Sequence, residues 1–211
     1  MTEQNRGKIR NDAPARAQQI CHNEKMEPLS LANQFLIAMP NMADPLFARA
    51  LIYVCEHGEH GAMGLIVNKP SGIALAQLFD QIDLPLKHAP LAGSSVFFGG
   101  PVQPDRGIVL HMPVCNWQSS LLVTNDIALT TSKDVLIAVS ENKGPEHMLV
   151  TLGYAGWGSG QLEEEIASNG WLTVSSTPEI IFSLPAEQRY DAAMAQLGFD
   201  PSLLSGDIGH A

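Results

Sequence analysis

The sequence predicts an α+β protein built on a mixed, largely antiparallel sheet, and three observations point there. Short runs rich in β-branched and aromatic residues dominate the first half of the 211-residue chain. Helical periodicities fall between them without the regular strand–helix beat of a parallel α/β protein. No internal repeat is present.

Residues 1–28 are polar, mixed in charge and interrupted by Pro14 and Pro28, so they are expected to form a flexible extension ahead of one domain, 29–211. Residues 35–39 read as a short strand that stops at Pro40, and 41–45 as a turn. Residues 48–55 and 62–67 read as a hairpin with 56–61 as its loop, ended by Asn68-Lys69-Pro70. Leu75, Leu78, Phe79 and Ile82 recur at helical spacing and predict a helix over 73–82. After a proline-bearing loop, 96–98 is a strand broken by Gly99-Gly100-Pro101. Strands follow at 107–112, 121–124 and 127–131, with an irregular stretch around Pro113 and Trp117. Ser132 is placed to cap a helix carrying Val135, Ile137 and Val139, with Lys143-Gly144 at its end.

The run 149–166 organises the rest. It opens as an apolar strand, meets a corner holding Gly153, Gly156, Gly158 and Gly160 around Trp157, and restarts as a helix with Leu162 and Ile166 on one face. Asn169-Gly170 closes that helix and a strand follows at 171–174. Residues 180–183 read as a last strand. Pro185 starts a helix with Tyr190, Met194 and Leu197 on its face, which Gly198 stops.

Composition narrows the function. The formal net charge is −10, and residues 31–211 hold seven basic against eighteen acidic residues, a net of −11. A body so poor in cations repels phosphate backbones, so direct nucleic-acid binding is not expected. No apolar run reaches the roughly 20 residues that span a bilayer, and the N-terminus has no apolar core of a secretory signal; cytoplasm is the expected location. Cys21, Cys55 and Cys115 follow no metal or disulfide spacing. Cys55 is expected to be buried.

No acid, base or nucleophile stands out, so no catalytic residue, cofactor or metal is assigned. The glycine corner lacks both phosphate-loop patterns, and Glu163 to Glu165 would repel an anion there. Ser159 is not in a G-x-S-x-G elbow, since Trp157 and Gln161 flank it. Glu56, His57, Glu59 and His60 read better as a polar hairpin tip than as a metal site, and His111 as a hydrogen-bonded strand-end residue. Asn68, Lys69, Gly99 and Gly100 are turn formers that can meet the Gly/Trp corner. With Trp157, Gln161 and His57 they make up a candidate binding cleft.

Four stretches carry a resemblance: Phe35-Leu-Ile-Ala-Met-Pro40, Gly61-Ala-Met-Gly-Leu-Ile-Val-Asn-Lys-Pro70, Phe98-Gly-Gly-Pro-Val102 and Gly153-Tyr-Ala-Gly-Trp-Gly-Ser-Gly-Gln-Leu-Glu163. In order and without a large gap, they resemble the AlgH/YqgE family of bacterial proteins. That resemblance implies a branched sheet curled into a partial barrel with helices around it. It also implies a link to regulation of gene expression, which the acidic body makes indirect. The expected function is therefore a non-enzymatic binding or regulatory protein acting through a protein partner or a small ligand. The alternatives are a ligand- or metal-dependent enzyme using the same cleft, and direct DNA binding through the tail.

Overall fold

The apolar run ahead of the glycine corner becomes the strand on which the sheet divides. A computed structural model of the chain describes residues 30–87 and 89–198, so the extension expected over 1–28 lies outside it. In chain order the elements are β1 (Gln34–Ala38), β2 (Leu51–Gly58), β3 (Gly61–Ile66), β4 (Pro70–Ala74), α1 (Leu75–Gln81), β5 (Ser95–Phe98), β6 (Val102–Met112), β7 (Ser120–Leu122), β8 (Ala128–Thr130), α2 (Lys133–Ser140), β9 (His147–Trp157), α3 (Gln161–Ala167), β10 (Trp171–Ser175) and α4 (Ala186–Ala195).

The sheet order is β10-β1-β2-β3-β9-β6-β8-β7, with β4 and β5 off this path. β9 pairs antiparallel with β6, from His147 opposite Met112 to Tyr154 opposite Val102. It also pairs with two successive partners: Thr151 and Leu152 run parallel to β5, and Ala155 to Trp157 run antiparallel to β3. That exchange of partners is the branch. The sheet is therefore mixed and largely antiparallel, and it curls into a half-barrel with helices around it, an α+β fold.

Successive side chains of a strand face opposite ways, so β1 and β2 serve two cores at once. Phe35, Ile37, Leu51 and Tyr53 point into the main core, which Tyr190 and Met194 of α4 help fill. Leu36, Ala38, Ile52 and Val54 point into a second core with Trp157, Leu162 and Trp171, covered by α3. A third core joins α1 and α2 through Leu75, Phe79, Val135 and Val139.

Four sequence expectations need correction. Residues 180–183 are not a strand: Glu179–Ser183 is a π-helical turn, closed by Leu184 N–H donating to the Glu179 carbonyl at 3.0 Å. Ile180 and Ile181 are consecutive and both buried, which a strand with one apolar face cannot achieve but a helical turn wedged into the core can. The hairpin loop shrinks to Glu59 and His60, because Glu56, His57 and Gly58 remain paired after a bulge near Cys55. Pro70 does not simply end a strand but opens β4, an edge position where its missing N–H is tolerated. β9 runs unbroken through Gly153 and Gly156, so the corner begins only at Gly158.

Candidate functional site

β9 ends at Trp157, and Gly160, with φ 75°, turns the chain into α3. The corner is held by its own side chains. Gln161 Oε1 accepts the Gly158 N–H at 3.0 Å, and Ser159 Oγ donates to the Glu59 carbonyl at 2.7 Å on the hairpin tip. α3 has only seven residues with Glu163 and Glu164 in its first turn, so its N-terminus carries no anion site.

Beside this corner lies an open hollow of about 370 Å³, within the range of small-ligand sites. Trp157, Trp171 and Phe47 give it an aromatic side, while Met42, Pro101 and Gly156 add apolar and backbone surface. The two indoles meet edge to face at 6.1 Å, and Phe47 meets Trp171 in the same manner at 5.6 Å. Glu165 stands between the indoles. Its Oε2 accepts both indole N–H groups, from Trp157 at 2.9 Å and Trp171 at 2.8 Å, and its Oε1 accepts Gln161 Nε2–H at 2.9 Å. Among the described residues no Lys or Arg ion-pairs with Glu165 or Asp44, the two acids of this hollow.

The proposed cleft residues divide between this hollow and the framework around it. Trp157 and Gln161 line the hollow. Lys69 reaches the loop that bounds it, donating to the Leu46 carbonyl at 2.8 Å; burial lowers the pKa of its ammonium group and Asp44 opposes that shift. Asn68 is a clamp between strands: its Oδ1 accepts Leu51 N–H and its Nδ2 donates to the Arg49 carbonyl, both at 2.8 Å. Gly99 and Gly100 lie under β9, where any Cβ would overlap the Gly153 carbonyl or the Tyr154 backbone, and Gly100 also has φ 151°. Their contribution to the hollow is indirect, through Pro101. His57 lies elsewhere. Its Nδ1 accepts the Leu31 N–H at 3.2 Å, and its Nε2 sits 3.0 Å from Glu163 Oε1 but off the hydrogen-bonding direction.

Sequence reading missed Glu165, Trp171 and Phe47. Gln161 and Glu165 are four apart on a helix, the spacing at which such side chains meet, and that was the available signal for Glu165. Nothing local brings Trp171 or Phe47 to Trp157; only the sheet does. Among the described residues no group of three or more His, Cys, Asp or Glu gathers as a metal site. His111 is a buried structural residue. Its Nδ1–H donates to the Pro113 carbonyl at 3.0 Å and its Nε2 pairs with Thr130 Oγ1 at 2.9 Å, while burial lowers its pKa despite the Pro113 contact. The Cys55 thiol is buried, and burial pushes its pKa far up, with Glu56 adding to it.

A branched half-barrel with a tryptophan-walled hollow at a strand-to-helix corner defines a small α+β scaffold. The chain belongs to the AlgH-like family, DUF179, whose profile matches residues 35–202. It is 73% identical over 186 residues to a UPF0301 protein of Chromobacterium violaceum, covering 88% of this chain and all of that one. It is 59% identical over 184 residues to a UPF0301 protein of Cupriavidus metallidurans, covering 87% and 97%. Among solved structures, the AlgH protein of Pseudomonas aeruginosa matches with TM-score 0.73 and 48% identity, over 89% of this chain and all of that chain. Protein DIP2367 of Corynebacterium diphtheriae shares the fold, with TM-score 0.65 at 22% identity, over 85% and 93%. Among the described residues no helix is long and apolar enough to cross a membrane.

Proposed function

We propose that the protein is a cytoplasmic, non-enzymatic binding protein that receives a small molecule or a partner's side chain in the tryptophan-walled hollow, and that any effect on gene expression is indirect. The environment of Glu165 carries this reading. A general acid or base must hand a proton to a reactant. Glu165 instead has both oxygens engaged by three protein N–H donors, which fixes it as part of the wall. With two aromatic indoles, a carboxylate and no paired cation, the hollow favours a neutral or cationic occupant. The name of the Pseudomonas aeruginosa relative and the acidic body support a regulatory role exercised through a partner rather than on DNA.

Two of the three tryptophans line the hollow, so intrinsic fluorescence reports occupancy directly. A panel of neutral and cationic metabolites, scored by fluorescence and melting temperature, is the test. A ligand at a hundred times its Kd adds about 2.7 kcal/mol, with about 2–4 °C of shift for each kcal/mol. Ser168 is exposed, lines the hollow and follows α3. Ser168→Trp should keep the fold and abolish the response. Binding that survives this variant defeats the assignment, and a tight sequence-specific DNA complex at about 0.15 M salt defeats the indirect role.

A further inference from the structure

A second hollow, of about 650 Å³, is built around a buried cation. It opens where the π-turn and α4 meet the sheet, and Phe182, Ala186 and Arg189 line it together with Phe97 and Leu149. Arg189 is only 6% exposed. Its Nε donates to the Leu184 carbonyl at 2.9 Å, its Nη1 donates to the Val67 carbonyl, and its guanidinium carbon lies 5.0 Å over the Phe97 ring. Among the described residues no carboxylate pairs with it and Nη2 has no protein acceptor.

A buried arginine without a carboxylate is rare, because desolvating a charge is costly unless a counter-charge replaces the water. Burial does push the guanidinium down, to about 10, with Glu187 opposing the shift, so it remains charged at neutral pH. Two carbonyls can be satisfied by neutral donors. The positive charge and the remaining N–H groups are surplus to that structural task.

We infer that this hollow binds an organic monocarboxylate, its carboxylate taken by the free N–H groups of Arg189 and its apolar body laid against Phe97, Leu149 and Phe182. The planar guanidinium fork matches a carboxylate. A phosphate dianion fits less well, because Glu146 and Glu187 line the same hollow and, among the described residues, Arg189 is its one permanently cationic side chain. Phe182 is held at the rim by the π-turn, a feature found disproportionately at functional sites. This site is separate from the tryptophan hollow, and its occupancy leaves the Trp157 and Trp171 environment unchanged.

The test uses the full chain and hexanoate, with hexylamine and hexyl phosphate as comparison ligands, read by calorimetry and by NMR of the Arg189 Nε–H. Hexanoate should bind saturably at millimolar concentration and move that resonance, while hexylamine does neither. Arg189→Gln should weaken hexanoate at least about tenfold, the factor for a lost charge-assisted pair. If that variant unfolds, Ser95→Trp decides: Ser95 is exposed and lines the hollow, so the bulky ring blocks entry without disturbing the core. Absence of saturable hexanoate binding overturns the proposal, as does binding unaffected by both variants. Hexyl phosphate binding more tightly than hexanoate would replace the carboxylate assignment with a phosphate one.

Discussion

At the scale of single residues, Glu165 and His111 show how polar groups are used inside this fold. Both indole N–H groups that Glu165 accepts belong to nearly buried rings, Trp157 at 8% and Trp171 at 4% exposure. Glu165→Ala leaves two donors without an acceptor, each at about 1–3 kcal/mol. The expected loss is roughly 2–6 kcal/mol, a drop of several degrees by differential scanning calorimetry. An unchanged melting temperature would show that water replaces the carboxylate freely. His111 gives a pH prediction. Its folded pKa is lowered below 6.5 by burial, so the neutral ring is the one the fold accepts. Its contribution is complete above pH 6.5 and is lost as pH falls from there through the folded value. Urea unfolding at pH 7.5 and pH 5 should show a smaller acid loss for His111→Gln than for the unaltered chain; equal losses would place the acid sensitivity elsewhere.

Among the elements, one joint is built from a residue that the sequence marks only as a turn former. Asn68 follows β3 and bonds Leu51 at the start of β2 and Arg49 two residues ahead of it, joining two segments through one side chain. Asn68→Ala strands the buried Leu51 N–H and should lower stability by about 1–3 kcal/mol. Ligand response in the tryptophan hollow should persist in this variant at temperatures where it stays folded, and loss of the response there would return Asn68 to the binding site. The π-turn Glu179–Ser183 makes the complementary point. A β-branched run between prolines satisfies every local rule for a strand, but the core accepts both Ile180 and Ile181 only if the chain coils. Tertiary burial overrides local propensity there, and the same coil sets Phe182 beside the Arg189 hollow.

For the molecule as a whole, charge is the dominant asymmetry. Among the described residues the Lys and Arg ion pairs are Arg49–Asp191 at 2.7 Å and Lys143–Glu141 at 2.8 Å, both exposed and worth little. The net charge of −10 is therefore left as self-repulsion, which salt screens. The melting temperature should rise by a few degrees between about 0.01 M and 0.15 M sodium chloride, and a fall would mean that attractive pairs outweigh repulsion. Against this acidic background the two hollows differ in the charged group that the protein holds in their walls. One holds carboxylates and indoles, the other a buried guanidinium, and neither polarity follows from overall composition.

What the sequence determined by itself is what local chemistry dictates. The fold class followed from the periodicities of the strands and helices. A corner ahead of a helix followed from the glycines and from the Leu162/Ile166 spacing, although the glycines placed its start at Gly153 and the strand runs on to Trp157, and the family followed from four short stretches. Tertiary structure alone decided which side chains meet. Trp171 reaches Trp157 because β10 and β9 approach the same outer face of the sheet, across β1, β2 and β3. Arg189 meets Val67, 122 residues away, because α4 plugs the half-barrel. Such contacts depend on pairing order and on the curl of the sheet, which no spacing within one element encodes. The candidate site was therefore legible at Trp157 and Gln161, which share one corner, and hidden at Glu165, Trp171 and Phe47, where long-range packing made the choice.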